Sequence, residues 1–245
     1  LTGRASVAWS VTDATILRAG FGTGQKTPTF IERYGFFPQS FVGNDELRPE
    51  HSTSYDLGIE HAFESLRVQL SLFDQDLDDE INGFYCPNPF PAPCTAINMD
   101  RPSSRRGLEV GAQWPLGDSL SIGITYTYTH SQDADSATEL RRPRHAGSVQ
   151  ADYAFAGGRA HIAFAADYGG TRQDVFFPPF PNPSEIVTLG NYWLVDLAAQ
   201  YDVNNRVQLF ARGSNLLDTK YEQVFGYRTA GRALFGGMQV SFGNE

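Results

Sequence analysis

Long apolar runs are missing from this chain of 245 residues. A membrane-spanning helix needs about 18 or more consecutive apolar residues, and no segment approaches that length. Basic residues are also scarce: there are 19 Lys and Arg against 28 Asp and Glu, a formal net charge of −9. Because phosphate binding needs a basic surface, the charge balance argues against nucleic acid as a partner. No apolar leader precedes the first predicted strand, so we expect a processed chain or a fragment.

Cysteine is scarce too, and its two positions bracket a proline-rich segment. Cys86 and Cys94 enclose residues 87–93, which contain four prolines. A lone pair this close in sequence typically forms a local disulfide in an oxidising compartment, and we predict one here. Metal binding is the less favoured alternative, because two thiols without a nearby histidine pair make a poor zinc site. We expect no metal centre and no cofactor.

The sequence also lacks a pattern that predicts catalysis. Its five histidines lie in separate strands or turns without a Ser or Cys partner at a motif spacing. The acidic run 74–80 has oxygen ligands for calcium but not the ordered spacing of a dedicated site, so a solvated acidic rim is the favoured interpretation. We therefore expect a protein that is not an enzyme.

What the chain does contain is a repeated alternation of apolar and polar residues. Leu120, Ile122 and Ile124 alternate with Ser121 and Gly123, and the same period of two recurs elsewhere. The polar faces carry charges and glutamines, which a packed core would not accept unpaired, so these faces meet water. The alternation predicts eleven strands, near 4–10, 14–23, 52–63, 65–76, 97–115, 119–131, 143–155, 158–171, 187–201, 206–215 and 230–242.

Connections between these strands alternate between short and long. The short ones lie near 12–13, 64, 116–118, 156–157 and 202–205. The long ones lie near 24–51, 77–96, 132–142, 172–186 and 216–229. Short turns at one rim and long loops at the other are typical of barrels in the bacterial outer membrane. The sequence therefore predicts an all-β fold, a transmembrane antiparallel β-barrel in that membrane.

An odd strand count has a further consequence. Bacterial single-chain barrels have even strand numbers because both termini normally lie on the periplasmic side. Eleven strands cannot close in that way, so residues 1–245 are predicted to be the C-terminal portion of a longer barrel.

Three segments resemble the TonB-dependent outer-membrane receptors: 44–58 (NDELRPEHSTSYDLG), 215–221 (NLLDTKY) and 226–232 (GYRTAGR). With the intervening hairpins, the resemblance covers essentially the whole chain. It implies a barrel of about 22 strands with an N-terminal plug domain. It also implies active uptake of a large, scarce nutrient with energy transmitted by TonB. In that family a C-terminal aromatic residue, here Phe242, is part of the signal for outer-membrane insertion.

Within this family, residues 221–232 are similar to the last loop of the cobalamin receptors, with further likeness at 140–142, 170–172 and 193–198. The resemblance implies cobalamin as the ligand, with a ferric siderophore or haem as the alternative. A passive porin-like channel and an adhesin barrel are alternatives of a different class. The expected partners are TonB, outer-membrane lipid and lipopolysaccharide, and cobalamin or an iron chelate.

Candidate ligand contacts lie in three of the long loops. Exposed aromatic rings on stiff loops suit capture of a large, partly planar ligand. The alternative is that the rings pack on one another, or on the plug, and so order the loops. The candidates are Arg33, Tyr34, Phe36 and Phe37 in the first loop, Phe176, Phe177 and Phe180 in the fourth, and Arg228 in the last.

Charged residues suggest two further roles. Arg141, Arg142, Arg144 and Arg172 are predicted near the outer rim, where they would steer anionic ligands or pair with lipopolysaccharide phosphates. A second set is predicted on the inner wall as a network facing the plug: Glu60, Arg67, Glu109, Asp152 and Arg212.

Overall fold

The computed structural model describes residues 1–36, 39–86, 93–179 and 182–242, with Phe84 described by its backbone alone. These residues form fifteen strands and one short helix. They are β1 (Arg4–Thr12), β2 (Thr15–Lys26), α1 (Phe30–Tyr34), β3 (Glu50–Ala62), β4 (Arg67–Asp78), β5 (Ile81–Tyr85), β6 (Thr95–Asn98), β7 (Ser103–Leu116), β8 (Leu120–Gln132), β9 (His145–Phe155), β10 (Ala160–Gly169), β11 (Arg172–Phe176), β12 (Glu185–Leu189), β13 (Tyr192–Asn204), β14 (Val207–Ser214) and β15 (Ala233–Val240).

Eleven of these strands form one antiparallel sheet, in the order β1-β2-β3-β4-β7-β8-β9-β10-β13-β14-β15. Each strand of this sheet pairs with the strands that precede and follow it in this order. The strands β5, β6, β11 and β12 lie in the long loops and are not part of the sheet. Within the described residues, β1 and β15 are hydrogen-bonded on one side only and form the two edges. The eleven-stranded sheet confirms the all-β fold class.

The strand register keeps apolar residues on one face across the sheet. Trp9, Leu17, Ile59, Leu70 and Val110 are successive partners across five neighbouring strands. Side chains in a strand alternate between faces, so the residues between them lie on the other face. The apolar face stays open to the surroundings, with Leu57 59% and Leu72 48% exposed. A continuous apolar surface of this extent suits lipid and not water.

The polar face carries the residues that alternate with this band. One row of partners runs through Glu60, Gln69, Gly111, Thr125 and Ser148. A one-residue slip would exchange the two faces, so the hydrophobic pattern specifies the register strongly.

The connections of the sheet alternate between short and long, as predicted. The turn between β9 and β10 spans four residues and places Ala156, Gly157 and Gly158 at positive φ. The long connections are 27–49, 79–102, 133–144, 170–191 and 215–232, and their described residues lie at the opposite rim.

Two of the predicted strands are longer than the strands in the structure. The segment 97–115 is divided in the structure between β6 and β7, and 187–201 is divided between β12 and β13. The extra pieces form two-stranded sheets within the loops, β5 with β6 and β11 with β12. Their local alternation continues that of the main strands, so the sequence pattern does not mark the break.

The short helix α1 was not predicted, although its start carries a local signal. Thr29 Oγ1 accepts a hydrogen bond from the Glu32 N–H, and Glu32 Oε2 accepts one from the Thr29 N–H at 2.6 Å. This reciprocal pair is a capping box, which satisfies two backbone donors at the helix start. Among the described residues, no helix has the length and apolarity needed to cross a membrane.

Candidate functional site

The long loops at one rim are folded and pack into two groups. The first loop group consists of the described residues of 27–49 and 79–102, and it contains a small hydrophobic core. That core contains Phe41, Leu47, Ile81, Cys94 and Ala96. Burial of apolar side chains outside the main sheet indicates that the described residues of these loops have a defined conformation.

Backbone hydrogen bonds join the two segments of the first loop group. The Val42 N–H donates to the Cys94 carbonyl at 2.9 Å, and the Cys94 N–H donates to the Ser40 carbonyl at 2.8 Å. A disulfide links Cys94 to Cys86, with 2.05 Å between the sulfur atoms. The sulfur bridge therefore lies where the β5–β6 hairpin meets the first long loop.

Residues of the segment 44–58 fasten the same group to the sheet. Asn44 Nδ2 donates to the Ala96 carbonyl at 3.0 Å. Glu50, 6% exposed, accepts from the Ile81 N–H at 2.9 Å and from Lys26 Nζ at 3.1 Å. The family-like pattern in this segment thus has a structural explanation, because its polar residues satisfy backbone groups that would otherwise be buried unpaired.

The second loop group consists of the described residues of 133–144, 170–191 and 215–232, and Asp174 lies at its centre. This carboxylate is fully buried. Its Oδ1 accepts from Arg141 Nε and from the Val175 N–H, both at 2.8 Å, and its Oδ2 accepts from the Phe225 N–H at 2.7 Å. One side chain on β11 therefore holds residues from all three segments of the group.

The hydrogen bonds around Asp174 also determine its ionisation. Burial by itself would raise the pKa of this carboxyl. The N–H groups of Phe225 and Val175 and the Arg141 guanidinium stabilise the anion and outweigh burial, so the pKa of Asp174 lies below its ordinary value. Asp174 is consequently a carboxylate at neutral pH.

Arg172 makes a second link between the fourth and last loops. Its guanidinium donates to the carbonyls of Gly170 and Glu222, and it lies 5.2 Å from the centre of the Tyr192 ring. Tyr192 in turn packs on Tyr221, with 4.4 Å between ring centres. Arg172 is buried, and these two carbonyls and the Tyr192 ring contact its guanidinium inside the group.

Asn215 and Asp218 hold the two ends of the last loop together. Asn215 Nδ2 donates to the carbonyls of Thr219 and Ala230, at 3.0 and 3.2 Å. Asp218 Oδ1 accepts from the Arg232 N–H at 2.9 Å. Asn215 and Asp218 both have positive φ, a conformation that Asn and Asp tolerate better than most residues. The segment 215–221 therefore connects the start of this loop to its end by hydrogen bonds.

A cavity of about 650 Å³ lies between the last loop and the connection from β12 to β13. Its lining includes Lys220, Tyr221, Glu222, Phe225 and Arg228 from the loop. Residues 188–191 form the opposite side. Its volume is within the range of small-molecule sites.

The predicted ligand contacts fall into both loop groups. In the first, Arg33 and Tyr34 belong to α1, and Arg33 Nη2 donates to the Asp45 carbonyl at 2.9 Å. Tyr34 and Phe36 are exposed. Phe37 lies outside the described residues. Ligand contact by these side chains stays a prediction.

In the second loop group, the predicted ligand contacts differ in packing and exposure. Phe176 packs on Phe225 with 5.1 Å between ring centres, so ring-on-ring packing accounts for it. Phe177 is 73% exposed, and Phe180 lies outside the described residues. Arg228 lines the cavity. The cavity itself was not predicted, because its two sides are distant in sequence.

The arginines predicted at the outer rim mostly bind groups of this chain. Arg141 pairs with Asp174, and Arg142 pairs with Glu139. Glu139 also accepts from Arg105 at 2.8 Å. Internal pairing of this kind orders the loops and leaves less charge available to steer a ligand.

On the polar face of the sheet, part of the predicted wall network is present. Glu60 lies 2.8 Å from Arg18 and 3.6 Å from Arg67. Arg212 lies 3.7 Å from Asp196. Across the described ranges, no ion pair includes Glu109 or Asp152, and no cluster of three or more His, Cys, Asp or Glu is placed to hold a metal ion.

Phe242 follows β15 at the end of the described chain and is 93% exposed. Leu234, Met238 and Val240 precede it on the apolar face of the same strand. Its role in membrane insertion stays a prediction.

Comparison with known proteins relates this architecture to a family. Residues 1–216 match the family described as TonB dependent receptor-like, beta-barrel. Among solved structures, FpvA of P. aeruginosa, bound to pyoverdines, has a TM-score of 0.81 at 16% identity, over 98% of this chain and 33% of that one. The siderophore receptor PirA of Acinetobacter baumannii has a TM-score of 0.80 at 17% identity, over 98% and 41%. The copper transporter OprC has a TM-score of 0.76 at 19% identity, over 98% and 39%.

These identities establish the fold alone, and the chain spans between 33% and 41% of the three solved chains. The family match covers 216 of the 245 residues, including ten of the eleven strands of the main sheet. The chain belongs to the TonB-dependent receptor β-barrel family and is an outer-membrane protein.

Proposed function

We propose that this chain is the C-terminal barrel portion of an active transporter that takes up a ferric siderophore across the outer membrane. Membership of residues 1–216 in the TonB-dependent receptor family carries the proposal. Uptake would draw on energy transmitted through TonB, and a plug domain outside this chain would occlude the barrel. The chain's own part is to cross the membrane, hold the outer loops and line the ligand's path.

Two open edges in the sheet support the idea of a longer barrel. A sheet edge exposes unpaired N–H and carbonyl groups, which in lipid must be satisfied by further strands. In the described residues, β1 and β15 each have such an edge. Additional strands between them would close the barrel and give it an even strand number.

A ferric siderophore is favoured over cobalamin as the ligand. The solved structures with a similar fold include receptors described for pyoverdine and for ferric enterobactin. The cobalamin prediction depended mainly on the likeness of residues 221–232, which here contribute loop-fastening contacts. The Phe225 N–H donates to Asp174, and the Thr229 hydroxyl donates to the Tyr221 carbonyl at 2.7 Å. These contacts support a structural role for residues 221–232 that does not depend on cobalamin.

Equilibrium binding by the purified full-length receptor tests the ligand class. The ligands compared are ferripyoverdine, a ferric tris-catecholate, a ferric tris-hydroxamate, ferric citrate and cyanocobalamin. We expect saturable binding of at least one ferric siderophore and no cobalamin binding at micromolar concentration. Saturable binding of cobalamin with no binding of any ferric chelate would overturn the proposal.

A further inference from the structure

We propose that residues 133–144, the connection between β8 and β9, form a strap that couples the polar face of the sheet to the last loop. The strap is bonded to Arg105 of β7 at one end and, through Asp174, to Phe225 at the other. A disturbance at either end therefore reaches the other. This coupling is a property of the fold and does not depend on which ligand the transporter takes up.

Hydrogen bonds within the strap hold its first part in a fixed turn. Asp133 Oδ1 accepts from the Asp135 N–H at 3.0 Å and from the Ala137 N–H at 2.9 Å. The Asp133 N–H donates to the Ala137 carbonyl at 2.9 Å, and Ala134 is buried. A segment with its backbone groups bonded in this way has little freedom to move by itself, so it transmits a displacement between its ends.

Glu139 fastens the strap to the sheet. Arg105 Nε donates to both carboxylate oxygens of Glu139 at 3.0 Å, and Arg105 Nη2 donates to Oε1 at 2.8 Å. Arg142 pairs with the same carboxylate, whose side chain is 11% exposed. Arg105 is five positions from Val110 of the apolar face, so it lies on the polar face of β7. Loss of one partner from such a pair is costly, because the other charge is left buried without compensation.

Arg141 fastens the strap to the second loop group. Its Nε donates to Asp174 Oδ1 at 2.8 Å, and its N–H donates to the Gln173 carbonyl at 2.7 Å. Asp174 Oδ2 in turn accepts from the Phe225 N–H at 2.7 Å. An unbroken series of contacts therefore leads from β7 through the strap and β11 to the last loop.

The backbone of Arg141 gives this series two discrete arrangements. Its φ is 62°, in the left-handed region, which is unfavourable for a residue that carries a side chain. The bonds to Asp174 and Gln173 compensate for this conformation. When the strap is released from β7, these bonds weaken, and Arg141 returns to an ordinary conformation that withdraws its guanidinium from Asp174. Coupling between distant sites is carried by elements with two such arrangements.

Other contacts keep the last loop in place when this series is broken. Asn215 bonds to the Ala230 carbonyl, Asp218 to the Arg232 N–H, and Arg172 to the Glu222 carbonyl. Release of the strap therefore frees the segment around Phe225 without unfolding the loop. Because Phe225 lines the cavity beside the last loop, the strap connects the polar face of β7 to the wall of that cavity.

Hydrogen–deuterium exchange of the full-length receptor tests the coupling, with the Phe225 amide hydrogen as the reporter. Two single variants release the strap from the sheet: Glu139→Gln on the strap, and Arg105→Gln on β7. Each is also combined with Asp174→Asn, which breaks the series near the reporter. Heat-dependent mobility on a gel verifies a folded barrel for every variant.

Asp135→Asn is the matched control, since it removes one carboxylate from the same strap. Its side chain lies 3.7 Å from Arg101 at an exposed site, outside the series of contacts. An exposed pair of this kind contributes little, so exchange at Phe225 should stay within about twofold of the wild type.

We expect Glu139→Gln and Arg105→Gln each to accelerate exchange at Phe225 by at least about threefold. With Asp174→Asn already present, neither should add more than about twofold, because coupled substitutions are not additive. Unchanged exchange in either single variant would overturn the proposal, since the effect would not run from β7 to the last loop. The same acceleration with and without Asp174, or an equal effect of Asp135→Asn, would also overturn it.

Discussion

At the scale of single residues, Asp174 determines how the second loop group is assembled. A buried carboxylate is costly unless its oxygens accept hydrogen bonds. Asp174 accepts three hydrogen bonds. Val175 belongs to the same strand as Asp174, whereas Arg141 and Phe225 belong to the other two segments of the group. Because Arg141 is half exposed, the backbone N–H donors supply the larger share of the stabilisation.

Substitution Asp174→Asn should loosen the last loop without affecting the sheet. The amide of asparagine has an NH₂ group in place of one carboxylate oxygen, and this group faces an N–H donor. One buried hydrogen bond is therefore lost, which costs about 1–3 kcal/mol of local stability. We expect the Phe225 amide hydrogen to exchange about tenfold to a hundredfold faster, as measured by hydrogen–deuterium exchange. Asp135→Asn, at an exposed ion pair with Arg101, is the matched control. Equal exchange in the two variants would contradict this role for Asp174.

The lowered pKa of Asp174 predicts an acid-sensitive loop. Its folded-state pKa lies below the value of about 4 in an unfolded chain. The stabilisation is therefore fully present above about pH 4 and is lost as the pH falls through the folded-state pKa. Exchange at Phe225, corrected for the intrinsic pH dependence, should increase below about pH 4 in the wild type. In the Asp174→Asn variant this step should be missing, and a step of equal size in both proteins would show that another group is responsible.

At the scale of elements, the disulfide stabilises the β5–β6 hairpin where it contacts the first long loop. Cys94 is buried, and its backbone bonds to Ser40 and Val42. Closing a short loop in the unfolded chain removes entropy that folding would otherwise lose. The same cross-link thus supports the loop that contains α1.

Replacing Cys86 and Cys94 together with alanine should reduce the local stability of the first loop group by about 2–3 kcal/mol. Alanine is used because serine would bury a hydroxyl at position 94. We expect faster hydrogen exchange in peptides covering residues 40–44 and 93–98, with no change in the second loop group. Unchanged exchange in the first loop group would show that its hydrophobic core is sufficient without the cross-link.

At Gly107 of strand β7, neighbouring atoms leave no room for a side chain. A Cβ at Gly107 would lie 2.0 Å from the Tyr128 carbonyl oxygen and 2.7 Å from Phe73 Cζ. At Gly111, on the same face of the same strand, a Cβ would meet nothing within 4 Å. We expect Gly107→Ala to destabilise the barrel by about 1–3 kcal/mol and Gly111→Ala to be nearly neutral. The unfolding temperature, read from heat-dependent gel mobility, distinguishes them, and similar shifts for both would contradict the packing described.

At the scale of the whole molecule, the main sheet was predictable and the loop architecture was not. Alternation in a strand such as β8 is required by lipid on one face and water on the other, so it is visible in the sequence. Asp174 bonds to Arg141, which is 33 positions away in the sequence, and to Phe225, which is 51 positions away. No local sequence pattern indicates such distant partners. For the same reason Arg228 was selected as a candidate while the cavity that it lines with Lys220 was missed.

Uptake of radioactive iron by living cells shows whether the full-length receptor is an active transporter. Cells carrying the full-length receptor are given the labelled ferric siderophore that the receptor binds, with and without functional TonB. We expect saturable uptake that is lost when either the receptor gene or TonB is removed. Uptake that continues unchanged without TonB would contradict it and would indicate a passive channel.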